Sequence, residues 1–197
     1  TIELYRYAVK TGSRQINIRP FSDIQKGESS FRSDLWQKWK RDAIADKTAL
    51  LLGLGDYEDA YRTSIDKKLR QVFVDDNSAY SQFDQSIMRS VQDFAKELEP
   101  FRGRIIGLHA GHHQHQFLNG TNSVQYLCQL LGCKYLGWEA MTQLIVRRSN
   151  KNSHIVTIFS THGCGGSAYV HSDLAKFTRI LSSYEADIYM RGHSSRV

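Results

Sequence analysis

Aspartates and histidines beside glycine recur along this chain of 197 residues, and each follows a short apolar run. Taken alone, each of them would more often be a turn or surface residue than a ligand. Together they supply carboxylate and imidazole groups without thiolates, a set that suits Mn, Fe, Zn or Ni better than Ca or Mg. The pattern therefore predicts a divalent-metal site. Its candidate residues are Asp23, Asp56, His112, His113, His162 and His193.

The apolar runs must be strands if these residues are to meet. Leu50, Leu51, Leu52 and Leu54 form a hydrophobic run that ends at Gly55 and Asp56. Such a run is typical of an interior strand in a parallel sheet that is covered on both faces. Because ligands of open α/β sheets bind beyond the carboxyl ends of the strands, we expect Asp56 and its counterparts to lie along one such edge.

Alternating and continuous apolar patterns predict strands, and apolar spacing of three and four residues predicts helices, so we expect an α/β fold. The predicted strands cover 1–13, 14–21, 50–54, 104–108, 144–147, 154–159 and 186–190. The predicted helices cover 31–46, 60–98 with a break near 75–78, 124–131 and 174–184. Trp36 and Trp39 lie on the apolar face of the first helix, which favours a role in the core over a base-stacking platform.

The composition is that of an ordinary globular domain, with 41% hydrophobic and 23% charged residues and two prolines. No apolar run is long enough to cross a bilayer and no signal pattern opens the chain, so we expect a cytoplasmic protein that does not insert into membranes. Cys128, Cys133 and Cys164 lack the spacing of a metal finger, which argues against a disulfide framework.

The formal net charge of +6 attracts anionic partners only weakly. The basic residues are scattered along the chain, which favours a solvated surface over a dedicated nucleic-acid face while leaving nucleic acid open as a partner.

Five short blocks, in this order, resemble the calcineurin-like metallophosphoesterases. The family blocks are Asp-x-His, Gly-Asp-x-x-Asp, Gly-Asn-His-Asp/Glu, a His often followed by Gly, and Gly-His-x-His. The corresponding segments here are 23–25, 55–59, 111–114, 162–163 and 192–195. The resemblance covers nearly the whole chain from Asp23 onward.

The resemblance implies one domain over 1–197, built as two packed mixed β-sheets flanked by helices, an α/β/β/α sandwich. It also implies a site for one or two divalent ions. Asp56 would bridge the two ions and Asp23 would bind the first. The second would be bound by His162 and His193, and His113 would be the catalytic histidine that protonates the leaving oxygen. Family members usually continue with further strands, so we expect a second sheet that is truncated at the C-terminus or completed by a partner in an oligomer.

Four positions depart from the family blocks. Gln25 replaces a histidine ligand, His112 an asparagine ligand, Gln114 an acid, and Ser195 the last histidine. Imidazole can replace an amide as a ligand, so His112 joins the candidates for the second ion, whereas the first ion keeps only Asp23 and Asp56. His109 and His115 could compensate, but we expect their side chains to point elsewhere.

The leading hypothesis is therefore a metal-dependent hydrolase that cleaves a phosphate mono- or diester with a metal-activated water. The alternative is a catalytically impaired module of the same fold that binds a phosphorylated partner or nucleic acid, and Gln25 and Ser195 favour it. The sequence does not select among substrates, because this family spans many of them.

Overall fold

The computed structural model describes residues 2–13, 15–59, 77–148, 153–164 and 170–193. The strands are β1 (Glu3–Lys10), β2 (Asn17–Phe21), β3 (Ala49–Gly53), β4 (Ile105–Leu108), β5 (Glu139–Arg147), β6 (Ser153–Thr161) and β7 (Ile188–Arg191). The α-helices are α1 (Ser33–Ala45), α2 (Asn77–Leu98), α3 (Ser123–Leu131) and α4 (Val170–Ser183), and a 3₁₀ turn (Glu99–Phe101) follows α2.

The strands form two sheets. The first has the order β1-β5-β6-β7 and is mixed, since β5 and β6 are antiparallel and the other two pairs are parallel. The second has the order β2-β3-β4, and both of its described pairs are parallel. The prediction of two mixed sheets is thus wrong for the second sheet. Its strands are joined through helices rather than hairpins, and such crossovers place successive strands parallel.

The two sheets pack face to face. Leu50 and Leu52 of β3 are buried in one apolar cluster with Leu144 of β5 and Ile158 of β6. Because successive side chains of a strand point to opposite faces, Leu51 lies on the other side of β3. The uninterrupted leucine run is therefore explained by burial on both faces of this strand.

Helices α1, α2 and α3 cover the outer face of the three-stranded sheet. Leu51 is buried there with Trp36, Phe94 and Leu127. Trp36 is buried, its ring stacks on that of Trp39 with centroids 5.1 Å apart, and both contact the core. The prediction that these tryptophans serve the core is confirmed.

The chain around α4 covers part of the outer face of the four-stranded sheet. Tyr184, just after α4, stacks on Phe159 of β6 with ring centroids 4.8 Å apart. Phe177 of α4 lies edge-on to Tyr189 of β7. The fold is thus α/β with helices on the outer sides of two packed sheets, as predicted.

Some predictions concern segments that the structure does not describe. The predicted helical segment at 60–76 and Ser195 lie outside the described residues. Within the described ranges, none of the helices has the length and apolar character of a membrane span. The three cysteines are free, with Cys128 buried, Cys133 half-buried and Cys164 exposed.

Leu52→Ala tests the packing of the two sheets. Leu52 is fully buried between them, so we expect its truncation to lower the free energy of unfolding by about 2–5 kcal/mol. Leu4→Ala, on a side chain that is 54% exposed, is the matched control and should change it by less than about 0.5 kcal/mol. Denaturant titration measures both values, and equal effects of the two substitutions would contradict the packing described here.

Candidate metal centre

Four of the predicted site residues come together at the carboxyl ends of strands from both sheets. Asp56, His112, His162 and His193 each offer one ligand atom, and these atoms all lie within 4.8 Å of one another. Asp56 follows β3 and His112 follows β4 in the three-stranded sheet, whereas His162 follows β6 and His193 follows β7 in the four-stranded sheet. We refer to these four residues as the Asp–His group.

The backbone at this edge is held in an unusual conformation. Asp23, Gln25, Asp56 and His193 have φ between 49° and 55°, in the left-handed region that non-glycine residues rarely adopt. Such residues cost about 1–3 kcal/mol each and are found where the surroundings hold them, often at functional sites. Here Gln25 N donates to Asp56 O over 3.0 Å and His193 N donates to an Asp23 side-chain oxygen over 3.0 Å.

Two glycines allow the approach of the neighbouring segments. A Cβ atom at Gly55, whose φ is 101°, would lie 2.5 Å from Nδ1 of His162. A Cβ atom at Gly111 would overlap the carboxylate and backbone nitrogen of Asp56. The glycines that precede Asp56 and His112 are therefore required by the site itself.

The hydrogen bond of His162 fixes which of its nitrogens faces the group. Its Nδ1 lies 2.6 Å from the carbonyl oxygen of Leu54, and a carbonyl only accepts, so Nδ1–H is the donor. Nε2 then lies 3.1 Å from Nδ1 of His112 and 3.2 Å from Oδ2 of Asp56. A histidine that gives its other N–H to a backbone carbonyl is the usual arrangement of a metal ligand.

Asp56 carries a carboxylate oxygen that needs a cation. Its Oδ1 accepts a hydrogen bond from the backbone N of His113 over 3.0 Å. Its Oδ2 is buried and accepts no hydrogen bond from the part of the chain that the structure describes. Burial alone would raise the pKa of Asp56, but the neighbouring His162 and the His113 N–H lower it below its ordinary value. Asp56 is thus kept as the anion that a metal ion would bind.

Two of the three imidazoles of the group are kept neutral. Burial, followed by the charge of His162, lowers the pKa of both His112 and His193. Burial also acts to lower the pKa of His162, but Asp56 raises it above the ordinary value overall. His112 and His193 therefore have the unprotonated form that metal binding requires, and a cation at Nε2 of His162 would take the place of its proton.

These residues fit a divalent transition metal. Three imidazoles and one carboxylate, without thiolate, are a ligand set of Zn, Mn, Fe or Ni. Two atoms bound to one ion at about 2.1 Å are at most about 4.2 Å apart, so the 4.8 Å spread of the group needs only a small side-chain movement to close.

His113 stands beside this group without belonging to it. Its Nδ1 lies 2.9 Å from Oδ1 of Asp59, and its Nε2 lies 3.3 Å from Nε2 of Gln25 and 3.8 Å from Oδ2 of Asp56. Asp59 accepts the Nδ1–H and so directs Nε2 toward the Asp–His group. This is the arrangement of an oriented proton donor or acceptor.

Asp23 lies next to the Asp–His group, but its carboxylate accepts hydrogen bonds from the chain itself. Its Oδ2 accepts hydrogen bonds from the backbone N of His193 and from the hydroxyl of Ser22. Its role as a ligand of a first ion stays a prediction, and in this structure its carboxylate holds the loop that carries His193.

His109 and His115 point away from the Asp–His group, as expected, and both are buried in the core. Nδ1 of His109 donates to the Gly137 carbonyl over 3.0 Å, and its Nε2 accepts from the Ser160 hydroxyl over 2.7 Å. His115 is buried against Asp84 of α2, with 2.6 Å between Nε2 and Oδ1. Both rings are therefore tied to other parts of the chain.

Two residues near the Asp–His group were given no role from the sequence. Asp59 could have been recognised by its spacing, because it lies three residues after Asp56 in segment 55–59. Trp138 has no such signal; its ring lies 5.1 Å from that of His112 and is 45% exposed. The Trp138 carbonyl also accepts the backbone N–H of His162 over 3.1 Å.

Comparisons of the chain with models of protein families, with curated proteins and with solved structures found no match.

The buried His109 makes the protein sensitive to acid. Burial lowers its pKa from 6.5 to about 4, so the folded state binds this proton less readily than the unfolded state does. The contribution of His109 to stability is complete above pH 6.5 and is lost as the pH falls toward 4, by about 3 kcal/mol.

His109→Gln tests this effect, because glutamine can keep the contacts to Gly137 and Ser160 without titrating. Unfolding measured in chelator between pH 7 and 4 should show a steeper loss of stability for the native chain than for the variant. Parallel curves for the two proteins would contradict the assignment of a buried neutral imidazole.

Proposed function

We propose that this protein is a metal-dependent phosphoesterase that hydrolyses a phosphate mono- or diester with water as the nucleophile. The observation that carries the proposal is the convergence of the four ligand atoms within 4.8 Å, with Nε2 of His113 only 3.8 Å from the ligand oxygen of Asp56. A cation site next to an oriented imidazole suits hydrolysis of a phosphate ester.

The Asp–His group would hold the ion. A divalent ion bound there lowers the pKa of water and neutralises charge on the phosphate. We propose one ion rather than two, since Gln25 directs its amide to His113 and the Asp23 carboxylate is taken up by His193 N and Ser22. Asp56 supplies the only carboxylate of the group and so sets its charge.

His113 would supply the proton that the leaving oxygen needs. Its Nδ1–H bond to Asp59 holds the ring and leaves Nε2 as the atom that exchanges the proton. The backbone N of His113 is bonded to Asp56 at the same time, so the position of the imidazole is fixed relative to the ion. Asp59 is thus a positioning residue that acts through His113.

The fold and the order of the five blocks support a relation to the calcineurin-like metallophosphoesterases. The helix-flanked pair of sheets agrees with what the resemblance implies, and the blocks that carry Asp56, His112, His162 and His193 end strands at one edge. The family assignment is part of this proposal.

A phosphate-binding module without catalysis is the second candidate, and Gln25 favours it. The amide nitrogen of Gln25 lies 3.3 Å from Nε2 of His113, the atom that would transfer the proton. In a module of this kind, binding of a phosphorylated peptide or nucleic acid would survive removal of the metal by a chelator.

His113→Gln tests the proposed hydrolysis. Protein loaded with Mn or Zn should hydrolyse phenyl phosphate or ethyl phosphate, whose leaving oxygens need a proton, and the variant should lower kcat by about 10²–10⁴-fold because the general acid is lost. Asp59→Asn should lower kcat less, because it changes only the hydrogen bond that orients the imidazole. Elemental analysis should find the metal content unchanged in both variants.

His154→Gln is the matched control, since His154 is exposed on β6 away from the group. It should leave kcat unaltered. A loaded protein without hydrolysis of any generic phosphoester would exclude the proposal, and so would equal kcat values for the native chain and His113→Gln.

A further inference from the structure

An open groove lies between the end of β2 and α1. Its volume is about 460 Å³, within the range of roughly 300–1,000 Å³ that small-molecule sites occupy. Its lining includes Asp23, Gln25, Phe31, Leu35 and Trp39.

The lining of the groove is mostly aromatic and apolar. Phe21 and Trp39 contact each other with ring centroids 5.2 Å apart, so this part of the wall is assembled before any ligand enters. Leu35 stands on the wall of the groove and is 53% exposed. An exposed leucine beside the half-buried rings of Phe31 and Trp39 is the kind of surface that a planar apolar group would cover.

The groove adjoins the candidate metal centre through two of its lining residues, Asp23 and Gln25. The Asp23 carboxylate accepts a hydrogen bond from His193 N, and the amide nitrogen of Gln25 lies 3.3 Å from Nε2 of His113. A ligand in the groove would therefore reach the site on the side of His113.

The charge of the groove does not favour a second phosphate. Arg32 is its cationic lining residue, and its Nε and Nη2 are bound to the two carboxylate oxygens of Asp34 over 2.9 and 2.8 Å. With this guanidinium paired to Asp34 and the Asp23 carboxylate in the lining, an uncharged group fits better than an anion.

We propose that the groove binds a planar aromatic group on the leaving alcohol of the substrate. The inference rests on the proposed function, in which His113 protonates the leaving oxygen, so the leaving alcohol must lie on the side of His113. A nucleoside and an aryl alcohol both carry such a planar group, and the two experiments below distinguish between them.

The binding arm uses no metal and no reaction. Adenosine and phenol are titrated separately into protein held in chelator, and binding is followed by ligand-observed NMR. Leu35→Glu places a charge on the groove wall and should weaken binding about five- to tenfold. Ile44→Glu changes a side chain of the same helix that is 40% exposed and outside the groove, and should leave binding unaltered. Tighter binding of adenosine assigns a nucleoside, and tighter binding of phenol assigns an aryl alcohol.

The kinetic arm compares esters that differ in the leaving alcohol. The values of kcat/KM for phenyl phosphate and for AMP are each divided by the value for ethyl phosphate. Both ratios should fall about five- to tenfold in Leu35→Glu and remain constant in Ile44→Glu. Hydrolysis with a ratio that does not change would overturn the groove assignment and leave the proposed function standing. Binding that is lost in Leu35→Glu, in a protein that hydrolyses none of the esters, would overturn the proposed function and with it the role of the groove in catalysis.

Discussion

The contact between Asp56 and His162 is the interaction on which the site depends. A buried carboxylate oxygen and an imidazole nitrogen face each other across 3.2 Å, and the other nitrogen of the ring already donates to the Leu54 carbonyl. Two electron pairs cannot remain this close in a buried place without a cation between or beside them. Either a proton or a metal ion can meet this need, and the nearby His112 and His193 favour the metal.

The same contact joins the two sheets. Asp56 ends a strand of the parallel sheet and His162 ends a strand of the mixed sheet, so the pair forms only when the sheets are packed through the cluster around Leu52 and Ile158. Stability and ligand placement are thus coupled. Asp23, Asp56 and His193 adopt the left-handed backbone conformation where their three segments turn at this edge of the sheets. This conformation costs free energy, and the hydrogen bonds between the segments offset that cost.

The sequence was informative where the signal is local. The leucine run at 50–54 could be recognised as a strand buried on both faces, and Asp56 could be placed at its end, because both depend on neighbouring residues only. The sorting of the histidines in 109–115 could not be predicted with the same security. His112 and His113 face the site whereas His109 and His115 enter the core, and this depends on partners such as Ser160 and Asp84 that are distant in sequence.

Long-range contacts also explain what sequence reasoning missed. The Asp23 carboxylate, a predicted ligand of a first ion, also accepts a hydrogen bond from the backbone of His193, a residue 170 positions away. Nothing near Trp138 in the sequence indicates that its ring will pack on His112. The parallel pairing of β3 with β2 and β4, by contrast, agrees with what the leucine run indicated.

The central claim is that Asp56, His112, His162 and His193 bind one divalent transition metal. Elemental analysis of protein purified without chelator or added metal, for the native chain and for Asp56→Asn, measures this directly. We expect close to one ion per native chain and a large loss in the variant, since asparagine keeps the size of the side chain but removes the charge. A native chain without bound metal, or an Asp56→Asn variant with undiminished metal content, would contradict it.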